Sequence, residues 1–269
     1  MTMDLDTRIA ALPSRSISVG GKTLSYRESG SGKALVLLHG IGSGSASWLF
    51  QLEELAREYR VIAWDAPGYG ESDAFSIAEP HPGDYATALS LLLSALQVKE
   101  FVLVGQSLGA LMAGAYARMF PGLARLLLIS PAGGYSGDRS KVAERMKTLD
   151  ELGPEGLAEK RAGGMLSPHP PAIALELVRW NYRRIRRDGY RQASYCLANG
   201  NLRADAPFFR GEALVVCGSE DKVTPEAGCR EVAAAFAKST YRTLPGLGHA
   251  SQAEGPSLVN ATIREFAHG

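Results

Sequence analysis

Five short apolar runs recur along the chain with helical stretches between them: "ALVLLHG" (34–40), "YRVIAWD" (59–65), "FVLVG" (101–105), "LARLLLIS" (123–130) and "EALVVCG" (212–218). A run of apolar residues without polar alternation is what a strand shows when both its faces are covered. The intervening stretches carry helical signals. Around Trp48 to Glu58, the side chains of Trp48, Leu52, Leu55 and Ala56 fall on one face; Asp84 can cap a helix running to about Gln97. "SLGALMAGAYARMF", "PEAGCREVAAAFA" and "GPSLVNATIREFAH" read as further helices, and "STYRTLP" as one more strand. Ahead of them, "RSISV" and "KTLSYRE" flank Gly20-Gly21, which suits a tight hairpin. Two hairpin strands followed by repeated β-α units predict an α/β fold, a mostly parallel twisted sheet with helices on both faces.

The stretch 134–207 breaks this alternation. It holds no clear buried strand and reads as helices interrupted at Gly153-Pro154, Gly163-Gly164 and "SPHPP". Between Arg139 and Arg191 it carries 12 Lys/Arg against 7 Asp/Glu, a local excess in a chain whose net charge is +1. A helical insertion between two sheet strands predicts a cap over the carboxyl edge, where open α/β sheets bind ligands. The expected division is a core of residues 1–133 and 208–269 and a cap of residues 134–207.

The sequence Gly105-Gln106-Ser107-Leu108-Gly109 stands where a buried strand ends and a small-residue helix begins. The pattern Gly-x-Ser-x-Gly alone is cheap, but this setting is the one a nucleophile elbow needs. A Cβ at Gly105 or Gly109 would collide with the neighbouring strand or helix, and the helix N-terminus offers free N–H groups to a developing anion. A structural serine on a phosphate-binding turn is the competing reading, and no Gly-Lys-Ser/Thr supports it. A serine hydroxyl needs a base, and the base needs an orienting acid. Of the five histidines, His249 lies in "LPGLGHASQAEGP", a glycine-flanked loop at the same sheet edge as Ser107, which makes it the base. His268 is next to the chain end, His81 and His169 lie in proline-rich loops, and His39 closes a strand. Asp221 in "VVCGSEDKVTP" directly follows a buried strand and is the expected acid, with its neighbour Glu220 as the substitute. "LLHGIGSG" places Gly40, Gly42 and Gly44 after another buried strand, where the backbone can approach a substrate carbonyl. The expected oxyanion donors are the amides of Ile41 and Leu108, with Gly40 and Gly42 beside the substrate and His39 anchoring the loop.

Composition narrows the rest. At 269 residues and 28.7 kDa, with 45% hydrophobic and 21% charged residues, the chain fits one soluble domain or one domain with an insertion. Near-neutral charge gives no reason to expect nucleic acid or an anionic membrane as partner. The apolar runs are too short to span a bilayer, and no secretion signal is visible at "MTMDLDTRIAALPS". Cys196, Cys217 and Cys229 fit no metal spacing and favour a reducing compartment, so a cytoplasmic protein without metal or other cofactor is expected. Its expected partner is a small-molecule substrate, and its oligomeric state is open, a homo-oligomer included.

"LLHGIG", "VIAWDAPGYGESD", "GQSLGA", "GSEDKVTP" and "GLGHASQAEGP", in that order, make the chain resemble the α/β-hydrolases over nearly its whole length. Within them it is similar to bacterial enol-lactonases, meta-cleavage-product (carbon–carbon bond) hydrolases and small carboxylesterases. The resemblance implies acyl transfer to water through Ser107, His249 and Asp221 on a small ester or lactone, such as a carboxylated product of aromatic catabolism. Asp65 in "WDAPGYGESD" resembles a structural aspartate that holds turns together. Many meta-cleavage-product hydrolases have a tryptophan after the histidine where this chain has Ala250, and the "GHASQAEGP" ending looks more like enol-lactonases and esterases. Carbon–carbon hydrolysis of 2-hydroxy-6-oxo-dienoates is the alternative reaction; a cofactor-free lyase or perhydrolase would use the same residues. A non-catalytic receptor on the same scaffold is a further alternative that ester turnover would exclude. In "LELVRWNYRRIRRDGYRQ", Leu175, Val178, Tyr182 and Ile185 predict the buried stripe of a helix with arginines around the rest. Most of those arginines read as a solvated face; the sharper expectation is that one or two, taken as Arg183 and Arg187, turn inward and hold a substrate carboxylate.

Overall fold

Gly20 and Gly21 take φ of 57° and 76°, the two left-handed positions that a tight hairpin turn requires. They close β1 (Arg15–Val19) onto β2 (Lys22–Ser29), with Val19 opposite Lys22. The computed structural model describes residues 4–268, and a short helix α1 (Leu5–Ala10), capped by the Asp4 side chain, precedes this hairpin. β2 pairs antiparallel with β4 (Arg60–Trp64). From β4 onward every pairing is parallel, through β3 (Ala34–Leu38), β5 (Phe101–Gln106), β6 (Arg125–Ile129), β7 (Glu212–Gly218) and β8 (Ser239–Leu244). The result is one eight-stranded sheet in the order β1-β2-β4-β3-β5-β6-β7-β8.

The apolar runs bury both faces of this sheet. Alternate residues Val36, Leu38, Leu103, Leu126, Leu128 and Val215 join one core with α3 (Pro82–Ala95) and α4 (Leu108–Met119). Their neighbours Leu35, Leu37, Val102, Val104, Leu127 and Val216 join a second core on the opposite face with Trp48, Leu52 and Leu55. Burying each such side chain contributes about 1.5–3 kcal/mol, which explains why no polar alternation is tolerated in these strands.

Local details differ from the sequence pattern. The stretch at 48–58 is three pieces, a 3-10 turn at Ser45–Trp48, α2 (Leu49–Glu54) and a second 3-10 turn at Leu55–Arg57, although Trp48, Leu52 and Leu55 are all fully buried. Asp84 does not occupy the capping position of α3: the helix starts at Pro82, and the Asp84 carboxylate reaches back to accept the His81 amide at 2.7 Å. Pro82 has no N–H to lose at the first turn, so the helix begins two residues before the acid.

Between β6 and β7 the chain forms α5 (Ser140–Arg161), α6 (Ala172–Tyr182), α7 (Arg187–Asn199) and the short α8 (Leu202–Asp205). α5 bends at Gly153 (φ 65°, ψ 176°) before Pro154. The buried side of α6 is Ala174, Leu177, Val178, Asn181 and Tyr182, a stripe rotated from the expected one, which leaves Leu175 half-buried. α9 (Glu226–Ala235), the single-turn α10 (Ser251–Glu254) and α11 (Pro256–His268) complete the chain, and α11 covers the second core with Val259 and Ile263. Among the described residues no helix is long and apolar enough to cross a membrane.

The strand order sets where a site can form. From β3 the chain crosses outward to β4, whereas from β5 it crosses the other way to β6. Loops leaving β3 and β5 therefore diverge, and a crevice opens between them at the carboxyl edge.

Candidate active site

Ser107 sits at that crevice, between β5 and α4, with φ 53° and ψ −114°. A positive φ is costly for a residue with a Cβ, of order 1–3 kcal/mol, and persists only where the surroundings over-determine it. Here the Ser107 amide donates to Ile129 O (3.0 Å), and its carbonyl accepts from Ala110 (3.0 Å) and Ala132 (3.1 Å). The flanking glycines make the turn sterically feasible. A Cβ at Gly105 would stand 2.5 Å from Gly109 O, and one at Gly109 would stand 2.2 Å from Leu38 O.

Leu38 and Gly105 are partners in the β3–β5 ladder, so Gly40 lies level with Ser107 two residues further on. A Cβ at Gly40 would come within 2.5 Å of Gln106 Oε1 and 3.1 Å of Ser107 Cβ, which is why the loop after β3 can lie against the turn. The amides of Ile41 and Leu108 donate to no protein atom among the described residues, the latter because the first residue of a helix has no intrahelical acceptor. The Gly42 amide is engaged by Tyr69 Oη at 3.4 Å, and the Tyr182 ring covers the Gly42 Cα. His39 anchors this loop. Its Nε2 accepts the Ala66 amide (3.1 Å), so the proton is on Nδ1, which donates to Gly40 O (2.8 Å). Burial lowers the His39 pKa, with the Gly40 carbonyl and Asp65 opposing more weakly, so this fully buried ring is held neutral. Asp65 ties neighbouring turns together by accepting the Ser45 amide (2.7 Å) and the hydroxyls of Ser45 and Ser25 (both 3.0 Å).

Across the crevice, His249 Nδ1 donates to Asp221 Oδ2 at 2.9 Å, which leaves Nε2 free. Both side chains are nearly inaccessible. Asp221 Oδ1 accepts the amides of Val223 (2.8 Å) and Thr224 (2.9 Å), a turn that locks the carboxylate after β7. Burial alone would raise the Asp221 carboxyl, but the hydrogen bond and charge of His249, together with the Thr224 amide, bring it below its ordinary value of 3.8. The neighbouring Glu220 is exposed. Ser107 Oγ makes no hydrogen bond to His249 in this arrangement, yet both line one cavity of about 220 Å³.

Sequence reasoning missed several residues of this cavity. Thr224 Oγ1 lies 2.9 Å from Asp221 Oδ2 and 3.2 Å from His249 Nδ1, and its place three residues after the acid is the signal that could have found it. Gln106 Nε2 donates to His249 O (3.1 Å), fastening the histidine loop to the turn. The arginine expectation is corrected. Arg183 and Arg187 do not reach the cavity: Arg183 pairs with Glu159 (3.0 Å), and Arg187 forms a two-pronged pair with Asp150 (2.6 and 2.8 Å) on the surface. The cations that do line the cavity are Lys141, Arg145 and Arg161, all on α5. Among the described residues no three His, Cys, Asp or Glu side chains are grouped to hold a metal.

The profile of the "Alpha/beta hydrolase family" matches residues 35–262. The 2-hydroxy-6-oxo-6-phenylhexa-2,4-dienoate hydrolase of Burkholderia cepacia is 26% identical over 94% of this chain and 96% of its own. A thermophilic esterase from Thermogutta terrifontis, solved with malate bound, superposes with a TM-score of 0.83 at 26% identity, covering 95% of this chain and 98% of that one. The enol-lactonase from Burkholderia xenovorans LB400 superposes with a TM-score of 0.85 at 23% identity over 95% and 100% of the two chains, a likeness of fold. An uncharacterized protein of Mycobacterium tuberculosis is 36% identical over 52% of this chain, and the match spans 40% of that protein's length.

Proposed function

The chain belongs to the alpha/beta hydrolase family, and we propose that it hydrolyses a small ester or lactone by covalent catalysis at Ser107. The observation that carries this reading is the 2.9 Å bond between Asp221 and His249, across one cavity from a serine held at positive φ. In the proposed cycle His249 Nε2 takes the Ser107 proton while Oγ attacks the substrate carbonyl. The resulting oxyanion is received by the amides of Ile41 and Leu108, and Asp221 stabilises the imidazolium. Collapse of the tetrahedral intermediate expels the alcohol with the proton from His249, and water activated by the same imidazole then releases the acid. Two free amides at the crevice are the expected oxyanion donors, each worth about 10²–10³ in turnover.

Residues 134–207 act in this reading as a cap that closes over the core of residues 1–133 and 208–269 and admits a small-molecule substrate. A cytoplasmic setting accords with three buried free thiols. The second reaction to weigh is carbon–carbon bond hydrolysis, because the Burkholderia cepacia relative is named for it. Purified protein and its Ser107→Ala variant are given a short p-nitrophenyl ester and a coloured ring-cleavage dienoate. Ester turnover that falls by about 10⁶ in the variant is expected. A variant as active as the parent overturns the serine mechanism, and kcat/KM higher on the dienoate than on the ester moves the assignment to carbon–carbon hydrolysis.

A further inference from the structure

The cavity at Ser107 is lined by three cationic side chains, Lys141, Arg145 and Arg161, and by no Asp or Glu. Two guanidinium nitrogens, Arg145 Nη1 and Arg161 Nε, are buried without a hydrogen-bond partner. Nearby acids of α5 are engaged elsewhere: Asp150 with Arg187, Glu151 with Lys147, and Glu159 with Arg179 and Arg183. Glu144 and Glu155 are exposed to solvent. What Arg145 does meet is no carboxylate: its Nη2 donates to Tyr135 Oη at 2.7 Å, and the Lys141 ammonium stands 4.3 Å from the centre of the same ring. Tyr182 and Tyr190 do not serve as counter-ions either. Burial raises the Tyr182 and Tyr190 phenols, and the opposing pull of Arg145 and Arg161 is the weaker effect.

Buried donors without acceptors are destabilising, more so on a charged group, unless a ligand completes them. The two arginines are 16 positions apart, which a straight helix would translate into about 24 Å, too far to share one small cavity. The bend at Gly153-Pro154 divides α5 between them, and both side chains line the same space. A cavity of about 220 Å³ lies below the range for drug-sized ligands, so whatever fills it is small.

We propose that Arg145 and Arg161, seconded by Lys141, form a subsite for a carboxylate carried by the substrate, so that the preferred substrate is a short acid ester with an anionic end remote from the scissile carbonyl. This rests on the hydrolase reading of the same cavity and assigns the anion to α5 rather than to the arginines after α6. The planar guanidinium fork matches a carboxylate in two parallel hydrogen bonds.

The test compares monomethyl esters of linear diacids, succinate to suberate, with methyl esters of the corresponding uncharged acids, following acid release. In the parent protein at least one diacid ester is expected to exceed its neutral partner in kcat/KM by about tenfold or more, one well-placed charged hydrogen bond being worth that much. Arg145→Gln and Arg161→Gln are each expected to reduce this ratio at least fivefold, chiefly through KM. Because the ratio is taken within one variant, any general loss of folding or turnover cancels. A binding arm needs no turnover: adipate is expected to raise the melting temperature of Ser107→Ala, and adding Arg161→Gln to that protein is expected to abolish the rise. Ratios near one throughout, a ratio unchanged in both variants, or stabilisation by inorganic phosphate stronger than by any diacid would overturn the subsite. Adipate stabilisation without turnover of either ester series would instead overturn ester hydrolysis as the reaction and leave the subsite standing.

Discussion

At the scale of single residues, neutral burial of His39 makes stability depend on pH. Its pKa is lowered by folding, so between the folded value and the ordinary 6.5 the unfolded chain binds a proton that the folded chain does not. Stability is therefore complete above about pH 6.5 and is lost as pH falls below it, by up to about 1.4 kcal/mol per pH unit from this one group. Urea unfolding from pH 8 to 5 is expected to give a steeper decline for the parent protein than for His39→Asn, whose amide can still donate to Gly40 O. Equal slopes would remove His39 from the account. Gly40→Ala tests the crevice: its methyl group would fall 2.5 Å from Gln106 Oε1, the far end of a side chain that can shift. That shift disturbs the bond from Gln106 to His249 O, so kcat is expected to fall about 10- to 100-fold with a small change in melting temperature. A large loss of stability with normal kcat would contradict the placement. That Ser107, Asp221 and His249 would stand near one another was legible in the sequence because each lies in a loop that leaves a strand at the carboxyl edge, Ser107 and Asp221 after the apolar runs of β5 and β7 and His249 after the more polar β8. Thr224 was not singled out because its spacing of three residues after Asp221 marks a turn without saying whether the hydroxyl faces solvent or the carboxylate.

At the scale of elements, the strands were legible and the long insertion was legible only in outline. Leu35 through Leu38 declare themselves because both faces of β3 are covered, a condition that leaves no polar position in the run. The helices of the insertion carry no such signature. Arg145 and Arg183 look alike in sequence, and what separates them is packing: Arg145 lines the cavity at Ser107, whereas Arg183 pairs with Glu159. At Gly153 the backbone has φ 65° and ψ 176°, a region that essentially only glycine occupies. Nothing lies within 4 Å of a Cβ added there, so Gly153→Ala isolates the backbone effect from any clash. The substitution is expected to cost about 1–3 kcal/mol, and at about 2–4 °C per kcal/mol for a chain near this size, melting should fall by several degrees. Re-aiming α5 should also separate Arg145 from Arg161 and lower the preference for acid esters. An unchanged melting temperature would mean that the bend is not enforced by this residue.

At the scale of the whole molecule, the histidine loop is where the sheet and the inserted helices are fastened together. Glu254 is buried on α10, and its two carboxylate oxygens accept the Gly248 amide (2.6 Å), the Ser167 amide (2.9 Å) and the Ser167 hydroxyl. The Ala250 amide donates to Met165 O (2.8 Å), so the residues on both sides of His249 are bonded to, or share a partner with, the turn between α5 and α6. A Cβ at Gly248 would stand 2.5 Å from the Leu166 carbonyl carbon, which shows how closely the two segments approach. One carboxylate thus bonds to both segments, the loop that carries the imidazole and the turn of the insertion. Glu254→Gln keeps the volume but turns one acceptor oxygen into a donor, facing an N–H it cannot satisfy. The expected cost is about 1–3 kcal/mol, read as a lower melting temperature. If the insertion and the histidine are coupled through this residue, kcat must fall as well, because the imidazole loses the support that sets its distance to Ser107. A drop in melting temperature with kcat unchanged would show instead that Gln106 and Asp221 alone suffice to seat His249, and that the inserted helices contribute binding without influencing the chemistry beneath them.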